Sequence, residues 1–582
     1  MDVKNIRWNL DPFYKGPDDK AIWDDLAKAE TLTNTLTQYR DRLVFDMPQA
    51  LDLLEKITEI STKISVYFLF LSSCDIENQD IKKADSRATE KLAALYAKLA
   101  FFDIEVGTLS DDQYAKIDAG KLKPFLDKIR RNAKYLLSEK EESLLTLLSP
   151  FGKSEWDDCM DELESRTKFT LGGKERSLEE IITTMNNSKN DAERLNAMRA
   201  LNTTLASSGY AWLRTRALNL VAGEKELVDT RRGLTHPMQA RNLSNNLDDK
   251  TVEALHQAVR KHAVPQLQRY YKMLARLLSK DKLSWADRNA PLPFSSDKKM
   301  EYSDALPMVL AGYRNFSPTL ANVLDEVVTN GWIDAPNFKG KTSGAYNCTA
   351  VIPGGKTLSY VLLNYLGTER DVMTLSHELG HAAHGMLSGR AQGALQYSAP
   401  TAYAETASIF GEMLTFEQML KTATSDKEKL ALLMGKCNDW INSVGRQICF
   451  SFFEQELHAR RKDGKLSEAD LNEIWTRLSH EFYGDIFDYS DMESLWSYVG
   501  HFMRPFYVYS YAFGELFTQS LYAKRHMDGF EGLYIDMLKS GSTKNAVELM
   551  TPFGLDPGAA DFWQNGIEGS ITTWLDQAEK LL

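Results

Sequence analysis

The chain predicts a mainly α-helical protein with one small β-sheet set directly before a histidine-rich helix. Three observations carry that reading. Apolar residues recur at three- and four-residue steps through most of the 582 residues, as in helices that bury one face. One stretch, 343–366, switches to two β-prone segments about a Gly-Gly turn. Finally, "TLSHELGHAAHGM", residues 374–386, gathers three of the chain's 10 histidines into eight positions.

A chain of this length is expected to form two to four packed subregions, not one core. Hydrophobic residues at 43% and charged residues at 26% are ordinary for a globular protein. The net charge of -12 argues against nucleic acid or an anionic membrane as the main partner. The first residues, "MDVKNIRWNLDPFYKGPDDK", lack the apolar centre of a secretory signal. The runs "VYFLFL" and "YVLLNYL" fall far short of a membrane span. Cys74, Cys159, Cys348, Cys437 and Cys449 are scattered and form no CxxC. They read as buried or free thiols, and the expected location is cytoplasmic.

Taken in order, "KAIWDDLAKAETLTNTLTQYRDRL" and "DSRATEKLAALYAKLAFFDIEV" are helical, and "SEKEESLLTLLSP" is a helix stopped at Pro150. "TKFTLGGKERSLEEIITTM" reads as a β-prone segment, a Gly-Gly turn and a helix capped by Ser177. Residues 190–280 are helical, and "SWADRNAPLPFS" (284–295) is a loop. "SGAYNCTAVI" and "TLSYVLLNYL" then form a hairpin, and the chain after 371 is helical almost to its end. The second strand, with Tyr360, is a candidate cleft edge for an extended peptide. "AVIPGGKT" imitates a phosphate loop, but Ala350 replaces its first Gly, Pro353 interrupts it, and a strand follows where a helix belongs. An ATPase is therefore a weak rival.

His377 and His381 are i and i+4 on one helical face, and Glu378 is beside the first. This HExxH pattern supplies two imidazoles for Zn²⁺ and a carboxylate to take a proton from water. The metzincin pattern needs Gly at 384 and His at 387, where this chain has His384 and Leu387. His384 is expected near the site as a lining or packed residue. A third ligand is needed, and from 382 to 420 the only acids are Glu405, Glu412 and Glu417. "SAPTAYAETASIFGEMLTFEQML" reads as one helix capped by Ser398, with Pro400 in its first turn. Glu405, among small residues that permit close helix approach, is the expected third ligand. Glu412, at i+7 from it, is the expected partner of an imidazole. Glu417 is read as a solvated charge. Far downstream, "YVGHFMRPFYVYSYAFGELF" (498–517) holds His501, Tyr507 and Tyr511. Phenols suit a developing oxyanion, although an aromatic packing stripe is the plainer reading. Pro505 suits a helix start.

"GAYN", "YVLLNYLGTERDVMTLSHELGHAAH", "AETASIFGE" and "HFMRPFYVYSYAFGE", with "IRWNLDPFY" near the start, together resemble the M3 family of zinc metallopeptidases, in its oligoendopeptidase F group. The resemblance covers essentially the whole chain. It implies a two-lobed helical molecule with a deep central channel that admits short unstructured peptides. Residues 1–195 would form one wall and 196–582 the catalytic region. It implies one Zn²⁺ per chain on His377, His381 and Glu405, with Glu378 as general base. It further implies that His501 and Tyr511 bind substrate and that Tyr507 assists the oxyanion. The thimet-like branch has a further tyrosine near Gly514, which this chain lacks. The expected activity is cleavage of internal bonds in oligopeptides. The alternative is a zinc exopeptidase on the same site, with Arg504 near the place for a terminal carboxylate; a catalytically dead peptide-binding module conflicts with the intact Glu378. Nothing in the sequence fixes the oligomeric state.

Overall fold

The periodicity of the first 130 residues is realised as three long helices, Lys20–Leu36, Leu43–Cys74 and Gln79–Thr108. Asp19 and Asn78 cap the first and third by accepting hydrogen bonds from first-turn amides. Leu43, Met47, Leu51, Leu54 and Ile57 then fall on one face and pack with Phe102 and Val106 of the third helix. The structure is a computed structural model that describes residues 3–148, 152–294, 299–342 and 344–582. The proposed stop at Pro150, Ser295 at the end of the loop, and Ser343 at the start of the hairpin lie outside the described residues.

The Gly-Gly turn near 172 forms as read. Phe169–Leu171 pairs antiparallel with Lys174–Arg176, and Gly172 and Gly173 take φ of 59° and 75°. Ser177 caps Leu178–Asn187 in a capping box with Glu180. The expected loop at 284 begins differently. Leu283–Ser284 pairs parallel with Phe487–Asp488, two residues from each of two distant segments.

The sheet before the histidine helix has three strands, β1 (Ile333–Pro336), β2 (Tyr346–Ile352) and β3 (Lys356–Tyr365), in the order β1-β3-β2. β2 and β3 form the expected hairpin, in register from Tyr346↔Leu362 to Ile352↔Lys356. Its three-residue turn, 353–355, takes positive φ at its last two positions, where Gly354 and Gly355 provide 88° and 68°. Their amides each donate to the Glu59 carboxylate at 3.2 Å. The phosphate-loop imitation is thus a hairpin turn whose amides already hold an anion.

β3 is not a cleft edge, contrary to the expectation. β1 pairs parallel with it from Ile333↔Val361, so β3 is central and β2 is the edge strand. β1 is four residues ending in Pro336, too short to show a period of two.

The chain folds as two compact units, each gathered from three segments: up to 134 with 297–422 and 524–555, and 135–296 with 423–523 and 556–582. The first holds the three-stranded sheet and the histidine helix, Glu369–Gln392. The second is helical apart from the short strand pairs at 169–176 and 283–284/487–488. Among the described residues, no helix is long and apolar enough to cross a membrane. All five cysteines are free.

Candidate metal centre

The histidine helix starts at a capping box of Thr368 with Asp371. Leu375, Leu379, Ala382, Ala383 and Met386 are buried along it. Tyr313 Oη donates to the Ser376 carbonyl at 2.8 Å, and Thr415 Oγ1 donates to Ser376 Oγ at 2.7 Å. These two bonds pin the turn that carries His377. Neither Tyr313 nor Thr415 has a local signature that sequence reasoning can detect.

The segment after 398 is not one helix. Pro400 precedes a single turn, Thr401–Ala404, and Ser398 caps nothing. Glu405 then breaks the helix with ψ near -4°, before the longer glutamate helix, Thr406–Thr422. Glu405 Oε2 is 3.3 Å from His377 Nε2 and 3.2 Å from His381 Nε2. Ser408 Oγ donates to the same oxygen at 2.8 Å. Burial opposes the charge of Glu405, but hydrogen bonds from the two histidines hold its carboxyl well below the usual range.

The imidazole rings of His377 and His381 are edge-to-face, with centroids 4.8 Å apart. One donor atom from each of His377, His381 and Glu405 lies within 4.8 Å of the others. Donors held about 2.0–2.1 Å from a tetrahedral ion stand about 3.3–3.4 Å apart, close to the measured separations from Glu405. The residues therefore fit a zinc ion. Two imidazoles and a carboxylate also leave a fourth position for substrate or water.

Glu412 Oε1 lies 2.7 Å from His377 Nδ1. That contact fixes the tautomer that leaves Nε2 toward the donor cluster. Glu378 is 6% exposed, and burial raises its carboxyl above the usual range. His384 is half-buried, and burial followed by the nearby His381 pushes its imidazole down to about 4. It is a neutral ring that hydrogen-bonds the Ala404 backbone. Glu417 is not a solitary charge, because it pairs with Arg525 at 2.9 Å.

Tyr360 is no substrate contact. It is fully buried, its hydroxyl donates to the Asn9 carbonyl at 2.7 Å, and its ring packs on Phe70 at 4.7 Å and Trp332 at 5.6 Å. Alternation along β3 put it on a face that the aromatic cluster covers.

In the second unit, His501, Tyr507 and Tyr511 form one cluster. His501 Nε2 is 3.2 Å from Tyr511 Oη. The Tyr507 ring is 6.2 Å from His501 and 5.5 Å from Tyr511. Pro505 does not start a helix. It opens a turn in which Phe506 takes φ of 59°, and the helix begins at Tyr509. Burial, then the charges of Arg446 and Arg504, lower the His501 imidazole, so it is neutral at pH 7. Arg241 lies 5.6 Å over the Tyr507 ring, a neighbour the sequence reading missed because 266 positions separate the two residues.

Comparison with known proteins identifies the family. The model of peptidase family M3 matches residues 184–569, and that of oligopeptidase F matches 107–169. Oligopeptidase PepF of Bacillus subtilis is 25% identical, over 99% of this chain and 87% of its own. An oligoendopeptidase F homolog of Lactococcus lactis is 26% identical, over 100% and 98%. A solved structure from Chlamydophila abortus shares the fold with a TM-score of 0.85 at 24% identity, covering 100% of both chains. Oligoendopeptidase F from Enterococcus faecium does so with 0.71 at 19%, over 96% and 97%. With two thirds of its length under the first model, the chain belongs to peptidase family M3, in the oligoendopeptidase F group.

Proposed function

We propose that the protein is a zinc-dependent endopeptidase that cuts internal bonds of short, unstructured oligopeptides. The observation that carries this reading is the convergence of His377 Nε2, His381 Nε2 and Glu405 Oε2, with the Glu378 carboxylate on the same helical turn. His377, His381 and Glu405 would hold one zinc ion, which when bound supplies Lewis acidity to a carbonyl and to a water. Glu378 takes the proton of the attacking water on a carboxylate oxygen and later delivers it to the leaving amine nitrogen. Its raised affinity for a proton suits both halves of that transfer. Glu412 keeps the His377 ring in orientation through Nδ1.

His501, Tyr507 and Tyr511 supply neutral donors for the peptide and for the oxyanion. That assignment rests on the family motif and on the cluster's own hydrogen bond. β2, as edge strand, suits backbone pairing with an extended peptide. Residues 1–195 as a channel wall and 196–582 as the catalytic region belong to the same proposal. So does a cytoplasmic location, which the five free thiols suit.

The exopeptidase alternative needs a group free to capture a peptide terminus. Arg504 is exposed but already faces Asp157 at 3.5 Å. The two readings separate by mass spectrometry of products from blocked and unblocked peptides of graded length, with and without a zinc chelator. Internal cuts in doubly blocked peptides, lost with chelator and restored by zinc, are expected. Trimming from free termini alone would move the enzyme to the exopeptidase reading.

A further inference from the structure

The second unit holds a buried arginine, Arg288, and a half-buried one, Arg446, that lack an acidic partner among the described residues. Arg288, 5% exposed, and Arg446 line one small cavity of about 10 Å³ together with Trp285, Ser479, Tyr483 and Tyr498. Among the described residues, neither guanidinium forms an ion pair with a carboxylate. Arg288 Nη1 donates to Asn442 Oδ1 and Arg446 Nη2 to Tyr498 Oη, each at 3.3 Å, so both partners are neutral and both bonds are long. Arg288 Nε and Tyr483 Oη are buried without a well-formed hydrogen bond, and the Arg288 guanidinium and Tyr483 hydroxyl face each other only at loose geometry. Aromatic faces supply the remaining contacts, with Arg288 5.5 Å over Trp285 and Arg446 4.8 Å over Phe450.

Two other buried cations of the chain have carboxylate partners, whereas Arg214, also buried, bonds only the Ser497 carbonyl and the Tyr210 hydroxyl among the described residues. Arg194 meets Asp287 at 2.6 Å, and Lys341 meets Asp334 at 2.5 Å. A buried charge without its counter-charge is costly, and two like charges at one cavity add to that cost. Burial and the neighbouring Arg288 weigh on the Arg446 guanidinium and lower it. The wall itself is specialised. The helices Asp426–Trp440 and Arg446–Arg461 join through a π turn, Ile441–Gly445, which carries Asn442 to Arg288. Such turns recur at functional sites.

We propose that a small monovalent inorganic anion, of the size and charge of chloride, binds in this cavity against Arg288 and Arg446. It supplies the missing counter-charge and accepts hydrogen bonds from Arg288 Nε and the Tyr483 hydroxyl. At about 10 Å³ the cavity has room for a small ion and not for an organic ligand, which favours a halide over a metabolite. Through Arg446 the site also holds Tyr498, three residues before His501, so an occupied site tethers the stretch that carries the His501 cluster.

The test uses the full-length protein in sodium gluconate, exchanged for sodium chloride or bromide at constant ionic strength. The expected result is a saturable rise of the thermal midpoint by about 1–3 °C, and one anomalous bromide peak against Arg288 and Arg446 in crystals grown in bromide. Arg446→Gln should remain folded by circular dichroism and lose the halide increment, while Arg446→Lys should keep part of it. An empty or water-filled cavity in the anomalous map of the wild type overturns the proposal, whatever the variants do. So does a halide increment that survives unchanged in Arg446→Gln.

Discussion

Gly380 is where the donor cluster is most open to a single perturbation. It lies between the two histidines of the histidine helix and faces the start of the glutamate helix. A Cβ at 380 would stand 2.6 Å from Ser408 Cα and 2.8 Å from the Ala407 carbonyl carbon, and closer still to the Ala407 oxygen. Ordinary carbon contacts are about 3.5–4.0 Å, and helix backbone does not give way as a flexible side chain does. Gly380→Ala must therefore move the two helices apart by roughly 0.8–1 Å. Ala407 and Ser408 directly follow Glu405, so the same displacement opens the separations of 3.2 and 3.3 Å between Glu405 and the two histidines. Overpacking of this kind costs about 1–3 kcal/mol of stability, and a 1 Å misplacement in a site costs about 10²-fold in activity. The assay is zinc affinity by competition with a chelating dye, followed by kcat/KM at saturating zinc and the thermal midpoint. Gly435→Ala is the control: it is exposed within a helix, its Cβ would meet nothing within 4 Å, and it should gain up to about 1 kcal/mol. A Gly380→Ala protein with wild-type zinc affinity and midpoint would refute the close-approach argument.

Three further outcomes are expected. Glu378→Ala should bind zinc normally and lose about 10²–10⁴-fold in kcat; appreciable turnover in the metal-loaded variant removes the general-base role. Glu412→Gln, which weakens the 2.7 Å contact with His377 Nδ1, should lower zinc affinity about 10–100-fold, and unchanged affinity would reduce Glu412 to a packing role. His458 is buried, and burial, with Lys225 and Lys462 nearby, pushes its imidazole down to about 3. Because that lies below the unfolded value, the unfolded chain binds more protons as pH falls from about 6.5 toward 3, and the native state loses stability over that window. At pH 5 the loss from this residue is about 2 kcal/mol relative to pH 7.5. Thermal midpoints of wild type and His458→Gln across pH 4–8 should diverge on the acid side, and parallel acid limbs would count against this assignment.

By itself, the sequence determined whatever depends on neighbours along the chain. Helical periodicity, the Ser177 cap, the hairpin turn at Gly354 and Gly355, and the i, i+4 placement of His377 and His381 are local, and each is where the residues put it. The short list of acids after the histidines also contained the carboxylate that closes the donor cluster. Only the tertiary structure decided what distant segments bring together. β1 makes β3 a central strand although four residues carry no readable period. An aromatic cluster from the first 70 residues buries Tyr360 and removes it from substrate. Whether Glu405 could meet both imidazoles depended on a backbone contact at Gly380 and on a helix break at Glu405, neither of which periodicity encodes. Arg288 and Arg446 are unremarkable in sequence, and their shared cavity exists because chain segments 158 positions apart fold against each other. Local propensity acts over a few residues, whereas burial and charge pairing act across space, and the site is built from both.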